Sequence, residues 1–216
     1  MTESKRGKFI TFEGCDGCGK STQIKFAAEL LAANGYDVLL TREPGGTLIG
    51  EKIRMVLLDP ENDKMADMAE MMLYAAARAQ IAREVIEPAL AAGRLVICDR
   101  WVDSSLVYQG AARGLGEAVR VVNTYAAADL FTPDATVLLD LEPAEALARA
   151  TGADDDHDRI EALGVAYQDK VRAAYLELAR REPGRFFVIG AAGSPEEVQA
   201  RVAAALLGIL SPESGV

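Results

Sequence analysis

Soft metal ligands are scarce in this chain, which has a single histidine, His157, and three cysteines among 216 residues. A structural zinc site usually takes four cysteine or histidine ligands, so it would consume all of these side chains. Three is also an odd number for a disulfide scaffold, and two of the cysteines lie close together in a glycine-rich loop. Such usage suits a reducing compartment, and we expect a cytoplasmic protein.

Surplus positive charge is missing as well. The chain carries 23 lysines and arginines against 33 aspartates and glutamates, for a formal net charge of −10. Binding a polynucleotide or an anionic membrane surface requires an excess of lysine and arginine, so we expect no nucleic acid and no membrane among the partners. A small anionic substrate remains compatible with this net charge, because a few lysine or arginine side chains at one site make the local potential positive.

Long hydrophobic runs are absent too. No apolar stretch approaches the roughly 20 residues that cross a bilayer. The opening segment "MTESKRGK" contains no apolar stretch before Phe9 of the kind that a secretory signal needs. We therefore expect neither a membrane span nor export.

What the chain does contain is a regular alternation of strand-like and helix-like segments. The strand-like segments are "KFITFEG", "YDVLLTRE", "RLVICDR", "DATVLLDLE" and "RFFVIG". The third and fourth are continuously apolar, which is typical of strands covered on both faces. The pattern predicts an α/β fold, with one domain over residues 1–216 and a doubly wound five-stranded parallel sheet that has helices on both faces. Ligands bind beyond the carboxyl ends of the strands in such a sheet.

Helical spacing fills the gaps between these strands. Thr47 is placed to cap a helix that begins directly after it. A stretch rich in Ala, Met and Glu predicts a long helix over 65–84, and Pro88 either kinks it or starts another. A later helix is predicted over about 160–181.

The stretch "FEGCDGCGKSTQ" at positions 12–23 contains the pattern G-x-x-x-x-G-K-S. It follows a strand and opens a helix, which is the context that a phosphate-binding loop requires. Glycines let backbone N–H groups turn inward, and the helix amino terminus adds partial positive charge. Lys20 is expected to reach the outer phosphates of a nucleotide, and Ser21 to offer its hydroxyl to Mg²⁺. The predicted nucleotide-binding residues are Gly14, Cys15, Asp16, Gly17, Cys18, Gly19, Lys20, Ser21 and Thr22.

The same loop contains a C-x-x-C pair, Cys15 and Cys18, which has other potential uses. A zinc site is disfavoured by the ligand count. A redox switch is a second hypothesis, because both thiols lie near a helix amino terminus, which lowers a thiol pKa, and a bridge would distort the loop. Otherwise we expect the two cysteines to serve as small side chains.

Three further motifs are more specific than the glycine loop. They are "TREPGGT" at 41–47, "LYAAARAQ" at 73–80 and "DRWVDSSLVYQG" at 99–110. With the loop, and in this order over nearly the whole chain, they resemble the thymidylate kinase family. The resemblance implies a P-loop kinase fold with a small lid, and transfer of the γ-phosphoryl group of ATP to dTMP with Mg²⁺. It also implies a homodimer formed through helices that flank the core.

The resemblance assigns roles to residues of the acceptor pocket. Tyr74 would stack on the thymine ring, and Arg78, four residues later on the same helix face, would meet a base carbonyl. Arg54 and Arg100 would hold the monophosphate, for which a guanidinium fork is well suited. The substrate-binding residues implied are Asp16, Glu43, Arg54, Tyr74, Arg78, Arg100, Ser105, Tyr108 and Gln109.

Other implied roles concern the sugar, the metal and the transfer step. Asp16 would meet the sugar 3′-hydroxyl, and Tyr108 would exclude a 2′-hydroxyl. Asp99 would help Ser21 to organise Mg²⁺. Adjacent strand side chains point to opposite faces, which argues against a salt bridge between Asp99 and the arginine after it. The catalytic residues implied are Lys20, Arg100, Arg159 and Asp16.

One departure from the family pattern concerns an arginine near the transferred group. Gly17 stands where some members carry an arginine, so the lid, at about 149–160, has to supply it. The lid holds Arg149 and Arg159 around an acidic cluster, Asp154 to Asp156, and Arg159 fits the family pattern better.

Two alternatives stay open on the sequence. The chain could be a kinase for another nucleoside monophosphate, or an ATP-binding switch without turnover. A switch needs no acceptor pocket, whereas Arg54, Tyr74, Arg78 and Gln109 predict one.

Overall fold

A computed structural model of the chain describes residues 6–151, 160 and 163–211, with the side chains of 150 and 151 left out. The strands in this part of the chain are β1 Phe9–Glu13, β2 Val38–Arg42, β3 Leu95–Asp99, β4 Ala135–Asp140 and β5 Phe186–Gly190. They form one sheet in the order β2-β3-β1-β4-β5, and every pair is parallel. The predicted five-stranded parallel sheet is confirmed.

Helices connect consecutive strands and cover both faces of the sheet. One hydrophobic cluster packs the first and last helices against the strands, and a second packs helices from the middle of the chain against the other face. The α-helices of the described residues are α1 Lys20–Ala33, α2 Leu48–Leu58, α3 Asp67–Ile81, α4 Glu87–Ala91, α5 Val102–Ser105, α6 Glu117–Ala127, α7 Pro143–Thr151, α8 Val165–Arg181 and α9 Pro195–Leu210.

Burial along the strands follows their position in the sheet. Every residue of the central strand β1 is buried, and β3 and β4 are buried except for their last residue. The edge strands β2 and β5 are only partly buried. The continuous apolar runs of the central strands are therefore explained by helices on both sides of the sheet.

Several helix limits agree with the sequence prediction. Thr47 caps α2, since its hydroxyl accepts from the backbone N–H of Gly50 at 2.9 Å. Helix α1 ends at Ala33 with Asn34 as its C-cap, and Gly35 follows with a positive φ of 86°. A residue with a positive φ at this position donates its N–H to the last carbonyls of the helix, and glycine adopts this φ without steric cost because it has no Cβ.

Two helix predictions need correction. The helix predicted over 65–84 is α3 followed by a π-helical turn, Ala82–Ile86, and then α4, because Pro88 has no N–H to continue the α-helical ladder. The helix predicted from about residue 160 begins at Val165, after Gly164 with a φ of 76°. No helix in the described ranges is both long enough and apolar enough to span a bilayer.

The parallel arrangement brings several loop starts to one edge of the sheet. Glu13, Arg42, Asp99 and Asp140 are the last residues of four strands, and the parallel pairing places them at the same edge of the sheet. The glycine loop, the loop at 43–47 and the segment that begins at Arg100 all leave from this edge. It is where a ligand site is expected in this architecture.

Candidate active site

A cavity of about 740 Å³ opens at the carboxyl edge of the sheet. It joins the glycine loop, the loops after β2 and β3, and helix α3. The predicted site residues that line it are Asp16, Gly17, Cys18, Gly19, Lys20, Ser21, Thr22, Glu43, Arg54, Tyr74, Arg78, Asp99, Arg100, Ser105, Tyr108 and Gln109. The structure therefore brings nearly all of the predicted residues to one place.

Two predicted loop residues lie behind the cavity rather than in its wall. Gly14 has a φ of 141°, and a Cβ there would lie 2.5 Å from the carbonyl oxygen of Leu139. The loop thus runs too close to β4 for any other residue at this position. The Cys15 side chain is buried, with its sulfur 3.8 Å from the carbonyl oxygen of Gln168.

Cys15 does not have the lowered thiol pKa that the redox hypothesis assumed. Burial raises the pKa of the Cys15 thiol to about 12, so the lowering expected from the helix terminus is wrong for this residue. Loss of solvation outweighs the nearby positive charge. Cys15 and Cys18 are both unpaired and buried. Within the described ranges, no three His, Cys, Asp or Glu side chains come together as a metal site.

Lys20 is held by the loop that it follows. Its Nζ donates to the carbonyl oxygens of Cys15 at 2.9 Å and Gly14 at 3.2 Å, and the side chain is buried. The ammonium group is therefore positioned by backbone oxygens, at the point where an anionic ligand of the loop would arrive.

The guanidinium of Arg100 is fixed in the site by contacts with several neighbouring residues. Its backbone has a φ of 69°, which turns the chain away from the direction of β3. Its Nη2 pairs with Asp16 Oδ1 at 2.5 Å, and its guanidinium lies over the ring of Tyr108, 5.1 Å from the centroid. Burial alone would raise the pKa of Asp16, but the charges of Arg100 and Lys20 hold that pKa below its ordinary value.

Glu13, which the sequence analysis did not select, supports this arginine. Its carboxylate accepts from the backbone N–H of Trp101 at 2.8 Å, from Ser104 Oγ at 2.6 Å and from Tyr175 Oη at 2.7 Å. Arg100 Nη1 in turn donates to Ser104 Oγ at 3.2 Å and to Tyr175 Oη at 3.4 Å. In the sequence, the signal for Glu13 was its position as the one charged residue at the end of an otherwise uncharged strand.

Replacing Glu13 with glutamine should make stability less dependent on pH. Burial, reinforced by the charge of Asp103, raises the pKa of Glu13 from 4.5 to about 7. The folded state therefore binds the extra proton more tightly, and its stability falls as pH rises from about 4.5 to about 7. Over this window, wild type should lose on the order of 3 kcal/mol relative to Glu13→Gln. Urea unfolding at pH 4.5 and pH 7 measures the difference, and parallel curves would contradict it.

The acceptor side of the cavity is organised around Arg78. This buried guanidinium donates from Nε to Glu43 Oε2 at 2.8 Å and from Nη2 to the carbonyl oxygen of Trp101 at 3.2 Å. Its Nη1 donates to Ser105 Oγ at 2.9 Å and to Asn123 Oδ1. Burial raises the pKa of Glu43 to about 7 against the opposing charge of Arg78. Asn123, which the sequence analysis missed, is fully buried on α6.

Other predicted acceptor residues converge on the same wall. Arg54 Nη1 donates to the carbonyl oxygen of Pro44 at 3.0 Å, which places α2 against the loop after β2. Tyr74 and Arg78, one helical turn apart on α3, both line the cavity as their spacing predicted. The Tyr108 hydroxyl donates to Asp16 Oδ2 at 3.4 Å.

The far end of the cavity lies beyond β5, where the sequence analysis named only Arg149, as the weaker candidate for the lid arginine. Arg149 lines it, and its Nη1 donates to the carbonyl oxygen of Ala191 at 3.1 Å. Gly193, Pro195 and Val198 complete this end. The rule that ligands bind beyond strand ends, applied to β5, would have found these residues. The predicted lid residues Arg159 and Asp154 to Asp156 lie outside the described residues.

Two wall residues fit a hydrated Mg²⁺. Asp99 Oδ1 is buried with no hydrogen-bond partner in the described structure, and Ser21 is exposed at the first turn of α1. Mg²⁺ typically takes one or two protein oxygens and completes its octahedron with water and substrate phosphates. An unpartnered carboxylate oxygen and an exposed hydroxyl that line the same cavity suit that requirement.

Comparisons with known proteins show which family this chain resembles. A family model described as thymidylate kinase matches residues 12–202. A thymidylate kinase of Caldanaerobacter subterraneus is 52% identical over 185 residues, covering 85% of this chain and 87% of the relative. A thymidylate kinase of Cereibacter sphaeroides is 49% identical over 211 residues, covering 95% and 97%. One of Desulforapulum autotrophicum is 47% identical over 197 residues, covering 88% and 86%.

Proposed function

This chain belongs to the thymidylate kinase family, and from that premise we propose that the cavity at the sheet edge is where its reaction takes place. The protein transfers the γ-phosphoryl group of ATP to dTMP, giving dTDP and ADP. The observation that carries the assignment is the continuity of one cavity, which joins the glycine loop and Lys20 to the pocket of Arg54, Tyr74 and Arg78.

The chemistry requires little from the protein beyond position and charge. The nucleophile is a phosphate oxygen of dTMP that is already ionised at neutral pH, so no general base is needed. The loop amides and Lys20 hold the donor phosphates, while Arg54 and Arg100 hold the acceptor phosphate. Charge that spreads over the transferred group is neutralised in place, which is the main source of rate in phosphoryl transfer.

The remaining residues fix the acceptor nucleoside. Tyr74 stacks on the base, and Ser105, Gln109 and the Arg78–Glu43 pair meet its polar edge. Asp16 contacts the 3′-hydroxyl, and Tyr108 blocks a 2′-hydroxyl. The single cavity containing all these side chains supports the assignment.

Mg²⁺ is the proposed cofactor. Ser21 and Asp99 would hold it, with Asp99 acting through water. When bound, the ion would supply positive charge that neutralises the charge developing on the transferred phosphoryl group.

A coupled ADP-release assay with Mg-ATP tests the proposed function. The panel of acceptors is dTMP, dUMP, dCMP, dGMP and dAMP. We expect turnover with dTMP to exceed that with every other acceptor. Steady ATP hydrolysis that no monophosphate changes would instead favour a nucleotide-binding switch, and preference for another monophosphate would favour a different kinase.

We also propose that the protein is a homodimer formed through α2, α3 and α6. These helices lie side by side and expose large apolar side chains. An exposed apolar surface of this kind is typical of a protein–protein interface. Leu48 and Tyr125 are each 84% exposed. The exposed apolar residues of this surface are Leu48, Ile49, Met55, Val56, Met68, Met72, Val121 and Tyr125.

Replacing Tyr125 with glutamate is expected to convert the dimer into a monomer. A buried charge without a partner at an apolar interface costs several kcal/mol, which exceeds what a modest interface can absorb. Light scattering after gel filtration should show the mass fall to the 23.1 kDa of one chain. Leu207→Glu, at an exposed apolar residue of α9, is the matched control and should leave the mass unchanged. A monomeric wild type would refute the proposal.

The chain is proposed to be a single domain over residues 1–216 with a lid at about 149–160. Its three unpaired cysteines and its nucleotide substrates suit the cytoplasm, which is the proposed location.

A further inference from the structure

Two neutral side chains of the acceptor pocket are each tied to a buried charged residue. Gln109 Nε2 donates to Glu70 Oε1 at 2.9 Å, and Ser105 Oγ accepts from Arg78 Nη1 at 2.9 Å. All four residues are buried, and both neutral ones line the cavity. The charged partners therefore determine which polar atoms the neutral groups have left for a ligand.

The chemistry of these pairs allows one orientation. A glutamine amide has a donor end and an acceptor end, but a carboxylate only accepts, so Nε2 of Gln109 must face Glu70 and Oε1 is left over. A serine hydroxyl also donates or accepts, but a guanidinium only donates. The oxygen of Ser105 therefore accepts from Arg78, and its proton is left to donate elsewhere.

Glu70 is itself held in place. Its second oxygen, Oε2, accepts from Arg113 Nη2 at 2.9 Å, and Arg113 Nε also lies 3.5 Å from Asp67. Each carboxylate oxygen of Glu70 therefore has its own donor. Turning the Gln109 amide would place its carbonyl against this buried carboxylate and leave both acceptors without a proton, which is costly inside a protein.

We propose that Glu70 is a specificity-determining positioning residue, which turns Gln109 so that the pocket presents an acceptor to N3–H of the base. The inference rests on the proposed function, because it requires the pyrimidine to lie in this cavity. Thymine presents an acceptor at O4 and a donor at N3, and these match the Ser105 hydroxyl and Gln109 Oε1. Cytosine presents a donor amine at position 4 and an acceptor at N3, so both contacts would be mismatched.

The test is Glu70→Gln, which keeps the shape of the side chain but allows the Gln109 amide to turn. Values of kcat/KM are measured for dTMP, dUMP and dCMP. We expect the dTMP/dCMP ratio to fall by at least about tenfold, because the freed Gln109 amide can turn its donor end to N3 of cytosine and so removes one of the two mismatched contacts. The dTMP/dUMP ratio should stay constant, since uracil and thymine share O4 and N3–H. A purely structural defect would lower all three values alike.

Glu84→Gln is the matched control. It removes a similar glutamine–glutamate contact, from Gln80 Nε2 to Glu84 Oε2 at 2.7 Å, on the exposed surface of the same helical segment. All three kcat/KM values should equal those of wild type.

The outcomes separate this inference from the proposed function. If wild type phosphorylates dTMP but Glu70→Gln keeps its dTMP/dCMP ratio, the role of Glu70 is refuted and the function stands. If wild type does not use dTMP, the function itself fails. Should Glu70→Gln not fold, Gln109→Met replaces it: the inference then requires dTMP and dUMP to lose more kcat/KM than dCMP, and an equal loss refutes it.

Discussion

Arg100→Met is expected to lower kcat for dTMP phosphorylation by about 1,000-fold. Arg100 is half-buried beside Asp16, and the Glu13 network holds its guanidinium in the cavity. Methionine has a volume similar to that of arginine, and a positive φ is equally unfavourable for both residues. The substitution therefore removes mainly the charge and its hydrogen bonds. Steady-state kinetics with saturating ATP gives the value.

Two further variants make this result specific. Arg100→Lys keeps the charge but loses the planar fork, and we expect it to recover less than about a tenth of the lost rate. Arg120→Met removes an arginine whose side chain is 46% exposed and should leave kcat unchanged. If Arg100→Met stayed within about threefold of wild type while folded, Arg100 would have no role in the transfer step.

Arg159→Ala is expected to lower kcat by about 1,000-fold or more while it changes the KM for dTMP only slightly. An arginine that contacts the transferred group in the transition state contributes 10³–10⁵ in related enzymes. Gly17 leaves the loop without such an arginine, and Arg159 is the lid residue that fits the family pattern. Initial rates at saturating ATP and varied dTMP separate kcat from KM.

Arg149→Ala is the natural comparison for Arg159→Ala. Arg149 already donates to Ala191 and Glu145 at the end of the cavity beyond β5. Its loss should therefore raise the KM for ATP more than it lowers kcat. The reverse pattern, with kcat intact in Arg159→Ala and reduced in Arg149→Ala, would make Arg149 the transfer arginine.

The parts of the fold that depend on local pattern could be predicted from the sequence. Continuous apolar runs identified the central strands, and the cap at Thr47 followed from its own side chain. A break at Pro88 was expected, but its extent back to Ile81 was missed, as was the late start of α8 at Val165. They depend on single residues, Pro88 and Gly164, whose effect on a neighbouring helix end varies by several residues.

The residues missed at the site act through other residues. Motifs select side chains that face a ligand, whereas Glu13, Glu70 and Asn123 are buried and bind other protein groups. For Glu13 and Glu70, a charged residue inside a largely apolar segment was the only trace in the sequence, and the neutral Asn123 left none. Cys15 shows the opposite error: its place near a helix terminus was clear, but the burial that dominates its pKa depends on the whole fold.

The pairing of Arg100 with Asp16 has a consequence for turnover. Before any nucleotide arrives, the cleft already supplies this cation with a counter-ion of its own. In the proposed function, where Arg100 holds the acceptor phosphate, binding of that phosphate would be an exchange of anions, and only the difference in interaction energy between the two anions would add to affinity. Release of the more highly charged product would then leave Arg100 paired with Asp16 rather than without a counter-ion. The positive charge that assists transfer would therefore cause less product inhibition.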